Sequence, residues 1–221
     1  MEISLPKFDK EILKEKGRFR KLSSFEYILP SGKIISCDSS NLINNDHIKY
    51  AHGVGALAII KQTKQIIITE NYRFPIEKNC LEFPAGIFEA EDIENSNKSI
   101  NEIAIESAKK ELKEEAGYDG DFVCFLSLPK VECPPKFFGE VFSDPWTSKD
   151  STVMALFSID LEKNKQHNQH LEIAEIVKVC VVDLDKFIDF LCEKAKEGYA
   201  IRIELYMLAL GLNFDNFFDF E

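Results

Sequence analysis

Short apolar runs separated by polar turns dominate the first half of the chain. The pattern is clearest in two runs, GALAII and QIIITENY, which only the polar KQTK separates. It predicts two adjacent buried strands. Nearer the start, FEYILPSGKIISC predicts a hairpin that turns at Pro30 to Gly32, and later CLEFPAG predicts a short strand that runs into a turn.

The apolar period changes after a polar, acidic stretch at residues 87–101, which we interpret as a surface loop. The run EIAIESAKKELKEEAG then predicts a helix, because small and apolar side chains recur every four residues along one stripe. Gly117 suits the left-handed position after its last turn. The stripe consists of Ala104, Ala108, Leu112 and Ala116.

The second half predicts strands at DFVCFLSL, TVMALFSIDL and EIVKVCVV, with a long Pro-rich connection between the first two. We expect a helix after these strands, with Asp183 as its N-terminal cap and Gly198 at its end. The run IRIELYMLALGL predicts a final helix. This order predicts an α/β fold in which helices cover a mixed sheet. The polar SSNLINNDHIKY indicates a boundary between an N-terminal β subdomain, residues 1–50, and a main domain, residues 51–221.

Charge and composition narrow the choice of partners. The net charge of −11 disfavours binding to nucleic acid or to an anionic membrane. The six cysteines form no CxxC pair, which is typical of small buried side chains in a reducing compartment. The first residues lack the apolar core of a signal peptide, and no run reaches membrane-spanning length. We therefore expect a soluble, intracellular protein of the cytoplasm, with the nucleus as the alternative compartment.

Three glutamates on one helical turn are the first candidate for chemistry. Glu111, Glu114 and Glu115 lie three and four residues apart, where like charges repel one another. A hard divalent cation binds such carboxylates together with waters and substrate phosphates. A helix face rich in Glu and Lys that simply contacts solvent is the structural alternative.

The context of these glutamates favours chemistry. EFPAG at 82–86, then Glu102, then KELKEEAGY at 110–118 resemble the signature of the Nudix hydrolases. Seven residues separate Glu102 from Lys110, as the family pattern requires. Two departures stand out: Lys110 replaces an Arg and loses its bidentate fork, and ten extra residues lie between Gly86 and Glu102. The resemblance implies an α/β/α sandwich with a mixed sheet, a small N-terminal antiparallel sheet, and Mg²⁺ as cofactor, with Mn²⁺ as a substitute.

A longer segment, NYRFPIEKNCLEFPAG, resembles the ADP-ribose pyrophosphatase branch of that family. The resemblance implies a metal-dependent pyrophosphatase that converts ADP-ribose to AMP and ribose 5-phosphate, working as a homodimer. It implies metal ligands at the carbonyl of Ala85 and at Glu111, Glu115 and Glu175. Catalytic roles fall on Glu114, Glu115 and Glu175. Substrate-binding roles fall on Arg73, Glu82, Ile87, Asp144 and Phe19.

Simpler structural roles remain open for several of these residues. Arg73 is alternatively a loop-surface cation, Glu175 an exposed carboxylate at a strand end, and Phe19 a core residue. The branch places two aromatic rings on the adenine, but the second position falls at Cys37, which has no ring. UDP-sugars, nucleoside triphosphates or a binding module without catalysis are therefore alternatives. For His167 and His170, a solvated loop is favoured over a metal site.

Overall fold

The computed structural model describes residues 5–43, 52–88, 97–126, 141–171 and 175–213. The chain divides into two compact units. One comprises residues 1–52 and 140–152, and the other residues 53–139 and 153–221. The grouping of residues 140–152 with the N-terminal strands was not predicted, because these segments lie far apart along the chain.

The first unit contains an antiparallel sheet of three strands, in the order β1-β2-β3. The predicted hairpin is confirmed, because β2 and β3 pair along their whole length from Arg20↔Leu42 to Ile28↔Ile34. β1 was not predicted, since its mixture of charged and apolar residues lacks a regular period. The strands are β1 (Lys7–Lys16), β2 (Arg20–Ile28) and β3 (Ile34–Leu42).

The returning segment, residues 141–152, is joined to β3 by backbone and side-chain hydrogen bonds. The N–H of Ser40 donates to the carbonyl of Thr147 over 2.9 Å. The N–H of Lys149 donates to the side-chain oxygen of Asn41 over 3.0 Å. These bonds satisfy polar groups of strand β3 and fix the loop that carries Asp144.

The second unit is built on a sheet of eight strands among the described residues. Its main path is β11-β6-β5-β4-β9-β8, while β10 pairs with β5 and β7 pairs with β4. β11 runs parallel to β6, and β10 runs antiparallel to β5, so the predicted mixed sheet is confirmed. The strands are β4 (Gly53–Ile60), β5 (Gln65–Arg73), β6 (Lys78–Glu82), β7 (Ala85–Ile87), β8 (Gly120–Phe125), β9 (Thr152–Ile159), β10 (Val177–Asp183) and β11 (Ala200–Ile201).

Helices cover both faces of this sheet, as predicted. They are α1 (Ile100–Ala116), α2 (Phe187–Lys196) and α3 (Ile203–Leu212). Ile66 and Ile68 of β5 pack in one apolar cluster with Phe187 of α2 and Leu205 of α3. Alternation along the strand directs Ile67 to the opposite face. α1 contacts β4, β5, β7 and β10.

Helix α1 is positioned by both of its ends. Ser99 and Glu102 form a capping box, in which the Ser99 side chain accepts from the Glu102 N–H and the Glu102 carboxylate accepts from the Ser99 N–H. Gly117 follows the last turn with φ +81° and donates its N–H to Lys113, as predicted. The predicted buried stripe is also confirmed, since its four residues are almost completely buried.

One helix start differs from its prediction. Asp183 is the last residue of β10 and makes no side-chain cap to the turn that follows. Its carboxylate accepts hydrogen bonds from Gln65 and Lys186 instead, because a short 3₁₀ turn, Leu184–Lys186, intervenes before α2.

Parts of two other predictions lie outside the described residues. These are residues 89–96 of the acidic loop and residues 127–140 of the Pro-rich connection. In the part of the chain that the structure describes, no helix has the length and apolarity needed to cross a membrane.

Candidate active site

The candidate site forms where helix α1 meets the short strand β7. Glu115 is only 5% exposed, although it carries a carboxylate. Its Oε2 accepts a hydrogen bond from the backbone N–H of Ala85 over 3.1 Å. The register of β7 is set by β4, with Ala85 opposite Gly55. A buried acid is thus held against a strand backbone whose position the central sheet fixes.

A second carboxylate, that of Glu111, lies directly against the same strand. A Cβ atom built on Gly86 would approach Glu111 Oε1 to 2.0 Å and its carboxyl carbon to 2.3 Å. Any side chain at position 86 would therefore displace the carboxylate. The glycine of the EFPAG segment is required here by close approach of a carboxylate, rather than by backbone conformation.

The electrostatics of Glu115 reflect this concentration of negative charge. Burial is the main cause that raises the pKa of Glu115 to about 8; the N–H of Ala85 opposes the shift, and the charges of Glu111, Glu175 and Glu82 add to it. Burial and the neighbouring carboxylates together disfavour the ionised form of Glu115. A cation among them would reverse that preference.

The oxygen atoms available at α1 and β7 match the chemistry of a hard divalent cation. Glu111 and Glu115 both contact β7, where Ala85 also carries a carbonyl oxygen. Among the residues that the structure describes, no three His, Cys, Asp or Glu side chains form a ready-made metal-binding group. The oxygen donors at α1 and β7 are of the kind that a hard divalent cation binds.

Arg73 and Glu82 form a side-on bidentate pair on neighbouring strands. Arg73 Nε donates to Glu82 Oε1, and Arg73 Nη2 donates to Glu82 Oε2, each over 2.6 Å. The Glu82 side chain is 6% exposed and that of Arg73 45%. The hydrogen bond that Arg73 donates to Glu82 raises the pKa of Arg73 above its ordinary value. A guanidinium has five N–H donors, so this pair orients the group while using two of them.

The remaining predicted residues of this unit differ in their surroundings. Ile87, at the end of β7, is exposed. Glu114 is half-buried, and its backbone carbonyl accepts the N–H of His170 over 2.8 Å. Glu175 precedes β10 and lies close enough to Glu115 to raise its pKa. The structure thus brings Glu111, Glu115 and Ala85 together, with Glu175 within electrostatic reach.

The segment with His167 and His170 is exposed, in agreement with the predicted solvated loop, but it also packs on the end of α1. The ring of His167 stacks on Tyr118 at 4.5 Å, with an angle of 16° between the planes. Between the histidines, Gln169 Nε2 donates to the carbonyl of Glu115 over 2.6 Å. Sequence reasoning missed Gln169, because no periodicity or motif distinguishes a glutamine in a polar loop.

Two predicted substrate-binding residues belong to the first unit. Phe19 is 62% exposed, with the guanidinium carbon of Arg18 4.8 Å from its ring centre. Its alternative role as a core residue is therefore wrong. The Asp144 carboxylate accepts a hydrogen bond from the hydroxyl of Thr147, so it helps to close its own turn.

A cleft of about 530 Å³ within the first unit contains Cys37, the predicted position without a ring. Phe25 and Tyr27 of β2 and Trp146 of the returning segment line the cleft together with Cys37. Among them, Trp146 is 91% exposed and is the single tryptophan of the chain. The cleft is lined mainly by Phe25, Tyr27, Cys37, Asp38, Trp146 and Lys149.

Comparisons with known proteins find a matching family model and several relatives. A family model described as NUDIX domain matches residues 49–206. The chain is 28% identical over 167 residues to "ADP-ribose pyrophosphatase" of Saccharomyces cerevisiae, which covers 72% of this chain but 62% of the yeast protein, less than two thirds of its length. It is 25% identical over 219 residues to "ADP-sugar pyrophosphatase" of Mus musculus, covering 96% and 89% of the two chains.

A solved structure shares the fold across the whole chain. It is titled "Crystal structure of ADP compounds hydrolase" and has a TM-score of 0.59, with coverage of 98% of both chains. The sequence identity is 14%, so the likeness concerns the fold alone.

Proposed function

This chain belongs to the NUDIX domain family, and we propose that it is a metal-dependent pyrophosphatase that hydrolyses ADP-ribose to AMP and ribose 5-phosphate. The observation that carries the proposal is the placement of two carboxylates, Glu111 and Glu115, on the backbone of strand β7. The names of the yeast and mouse relatives support the choice of an ADP-sugar as substrate.

The family generally depends on a divalent metal, and we propose Mg²⁺, with Mn²⁺ as a substitute. The carbonyl of Ala85 and the carboxylates of Glu111, Glu115 and Glu175 would hold it. Such an ion neutralises the charge of a diphosphate and lowers the pKa of a bound water. The raised pKa of Glu115 supports this assignment, because a cation at that point offsets the cost of ionising a buried acid.

The chain's own residues then divide the remaining work. Glu175 takes the proton of the attacking water as its oxygen bonds to phosphorus and the phosphoanhydride bond breaks. Glu111, Glu114 and Glu115 form the acidic turn at the end of α1, and within it Glu114 and Glu115 take catalytic roles. Arg73, held by the bidentate contact with Glu82, donates its other N–H groups to the diphosphate oxygens.

Recognition of the rest of the substrate involves three further residues. Ile87 packs against it, Asp144 binds the terminal ribose, and Phe19 stacks on the base. The exposure of Ile87 and Phe19 supports these roles, since both side chains can contact a ligand. We also propose a homodimer in the cytoplasm, and sedimentation velocity would test the dimer.

The decisive experiment compares turnover of ADP-ribose, with Mg²⁺, by the wild-type protein and Glu115→Gln. We expect kcat to fall by about 10²–10⁴-fold, since the substitution removes a metal ligand and a charge of the acidic turn. Glu106→Gln is the matched control, because Glu106 lies on the same helix, exposed and paired with Lys98. Equal rates for wild type and Glu115→Gln would remove the acidic turn from the mechanism.

A binding module without catalysis is the second candidate, favoured by Lys110 in place of an Arg and by Cys37 at a position where the related branch has an aromatic ring. Binding of ADP-ribose by calorimetry, without release of AMP in the presence of Mg²⁺ or Mn²⁺, would establish it. The same assay with a UDP-sugar and with a nucleoside triphosphate separates the remaining substrate classes.

A further inference from the structure

Residues 167–170, which we name the clasp, close over the carboxyl end of helix α1. A Cβ atom on Gly117 would lie 3.0 Å from the backbone of Asn168, so the clasp and the residue that ends α1 are in close contact. The N–H of His170 donates to the carbonyl of Glu114, and His167 stacks on Tyr118. The last carbonyls of a helix lack partners within it, and the clasp supplies them from outside.

Gln169 connects two elements through a single side-chain nitrogen. Its Nε2 donates to the carbonyl of Glu115 over 2.6 Å and to the carbonyl of Val177 over 3.1 Å. Glu115 lies at the end of α1, and Val177 is the first residue of β10. Both N–H bonds of the amide are thus used to join the end of the helix to the start of the strand.

The two joined elements carry carboxylates that belong together in the proposed site. Glu115 is on α1, and Glu175 immediately precedes β10, where its charge raises the pKa of Glu115. The N–H of Tyr72 donates to the carbonyl of Ile176 over 3.4 Å, which joins the residue after Glu175 to β5. Gln169 is therefore well placed to set the separation between the two acidic residues.

We propose that Gln169 is a positioning residue, which fixes Glu175 relative to Glu115 by bridging the carbonyls of Glu115 and Val177. This inference rests on the proposed function only for its consequence for catalysis. A displacement of about 1 Å in a catalytic group can lower the rate by about 10²-fold. Loss of the bridge is therefore expected to act on kcat rather than on KM.

Asn164 offers a matched control in the same connection between β9 and β10. Its Nδ2 also bridges two carbonyls, those of Asp119 and Asp160, over 3.0 and 2.8 Å. It is buried, but neither partner carries a predicted catalytic role. Gln169→Met and Asn164→Leu each remove an amide bridge with little change in side-chain volume. Asn164→Leu also removes the hydrogen bond that Asn164 Oδ1 accepts from the N–H of Asp119 over 2.7 Å. Both variants are therefore expected to lower the melting temperature, and Asn164→Leu at least as much as Gln169→Met.

The first measurement is steady-state hydrolysis of ADP-ribose at a temperature where both variants are folded. For Gln169→Met we expect kcat to fall about tenfold to a hundredfold with KM changed by less than about threefold. Asn164→Leu keeps the wild-type kcat. In a Glu175→Gln background, Gln169→Met causes no further loss, because both act through one carboxylate. Equal kcat losses in Gln169→Met and Asn164→Leu, or additive losses with Glu175→Gln, would overturn the proposal.

The second measurement needs no catalysis and so separates this inference from the proposed function. Hydrogen exchange at the Tyr72 amide reports whether the residues before β10 stay docked on β5. We expect faster exchange at Tyr72 in Gln169→Met and unchanged exchange in Asn164→Leu. If the wild-type protein does not hydrolyse ADP-ribose, the proposed function fails, and the exchange measurement alone tests the positioning role of Gln169. Unchanged exchange in Gln169→Met would then reject the positioning role.

Discussion

The acidic region at α1 and β7 and the aromatic cleft of the first unit are built in opposite ways. In the first, carboxylates touch the strand backbone, and Gly86 has no room for even one added carbon. In the second, Trp146 stands largely in solvent, while Phe25 and Tyr27 are half-buried. Hydrolysis at a metal depends on distances between a few atoms, whereas stacking on a ring tolerates many arrangements.

This difference explains where the sequence departs from its family pattern. The contacts of Gly86 with Glu111 and of Ala85 with Glu115 are present in this chain despite the departures at Lys110 and Cys37. Cys37 lines a cleft together with three aromatic side chains, so a ring absent at this position can be replaced by a neighbour. A carboxylate lost from Glu111 or Glu115 instead removes a contact with the backbone of β7.

Among the substitutions that test this comparison, the largest effect is expected from Gly86→Ala. Its methyl group would displace the Glu111 carboxylate, so we expect kcat/KM for ADP-ribose to fall by about 10²-fold or more. The activity assay with a Mg²⁺ titration measures it. Gly211→Ala is the control, because a Cβ atom there meets nothing within 4 Å. Wild-type activity in Gly86→Ala would show that the acidic region is not under close constraint.

A smaller effect is expected from Arg73→Lys. The lysine keeps the charge but cannot form the bidentate contact with Glu82, so the diphosphate loses an oriented partner. We expect KM for ADP-ribose to rise about tenfold, with a smaller change in kcat. Initial rates over a range of substrate concentrations test this. An unchanged KM would return Arg73 to its alternative role as a surface cation.

A substitution in the first unit is expected to change the kinetics less than Arg73→Lys does. Phe19→Ala removes the predicted stacking ring, and loss of one stacked base of this kind raises KM by about fivefold to tenfold. Phe19→Tyr keeps the ring and should behave as wild type. Because Trp146 is the only tryptophan, quenching of its fluorescence by AMP reports ligand binding near the cleft separately. Equal KM values for Phe19→Ala and wild type would move base recognition to other residues.

The smallest effect concerns the start of α1. Ser99→Ala removes the side-chain cap and should lower the free energy of unfolding by about 1 kcal/mol. Glu102→Gln preserves a side chain that can complete the capping box, so it should change less. Both variants should keep kcat within about twofold of wild type. Urea unfolding and the ADP-ribose assay measure the two properties, and a large loss of kcat in Glu102→Gln would assign Glu102 to the chemistry.

Much of the fold followed from local patterns. The period of four along α1 predicted its buried stripe, and the apolar runs predicted β4 and β5, because burial and backbone geometry act over a few residues. The failures involve tertiary context. β1 has no regular alternation, and the cap predicted at Asp183 gave way to bonds with Gln65 and Lys186, which a local pattern does not reveal.

In the candidate site, too, the residues that are close in sequence were predicted and a contact between distant residues was not. Glu111 and Glu115 were identified by fixed spacing within one helical turn. The bridge from Gln169 to Glu115 and Val177 joins residues 54 and 8 positions away through an ordinary amide. Neither partner contributes its side chain, so the sequence at those positions carries no trace of the contact.

The composition of the first unit from residues 1–52 and 140–152 has a consequence for experiments that dissect the protein. No single cut separates the chain into two intact halves. A fragment ending near residue 52 would lack Thr147 and Lys149, leaving the edge of β3 without bonds that span 107 and 108 positions. A fragment that begins there would keep residues 140–152 without the N-terminal strands of the unit to which they belong. Only an internal deletion, or co-expression of complementary fragments, keeps residues 1–52 together with residues 140–152.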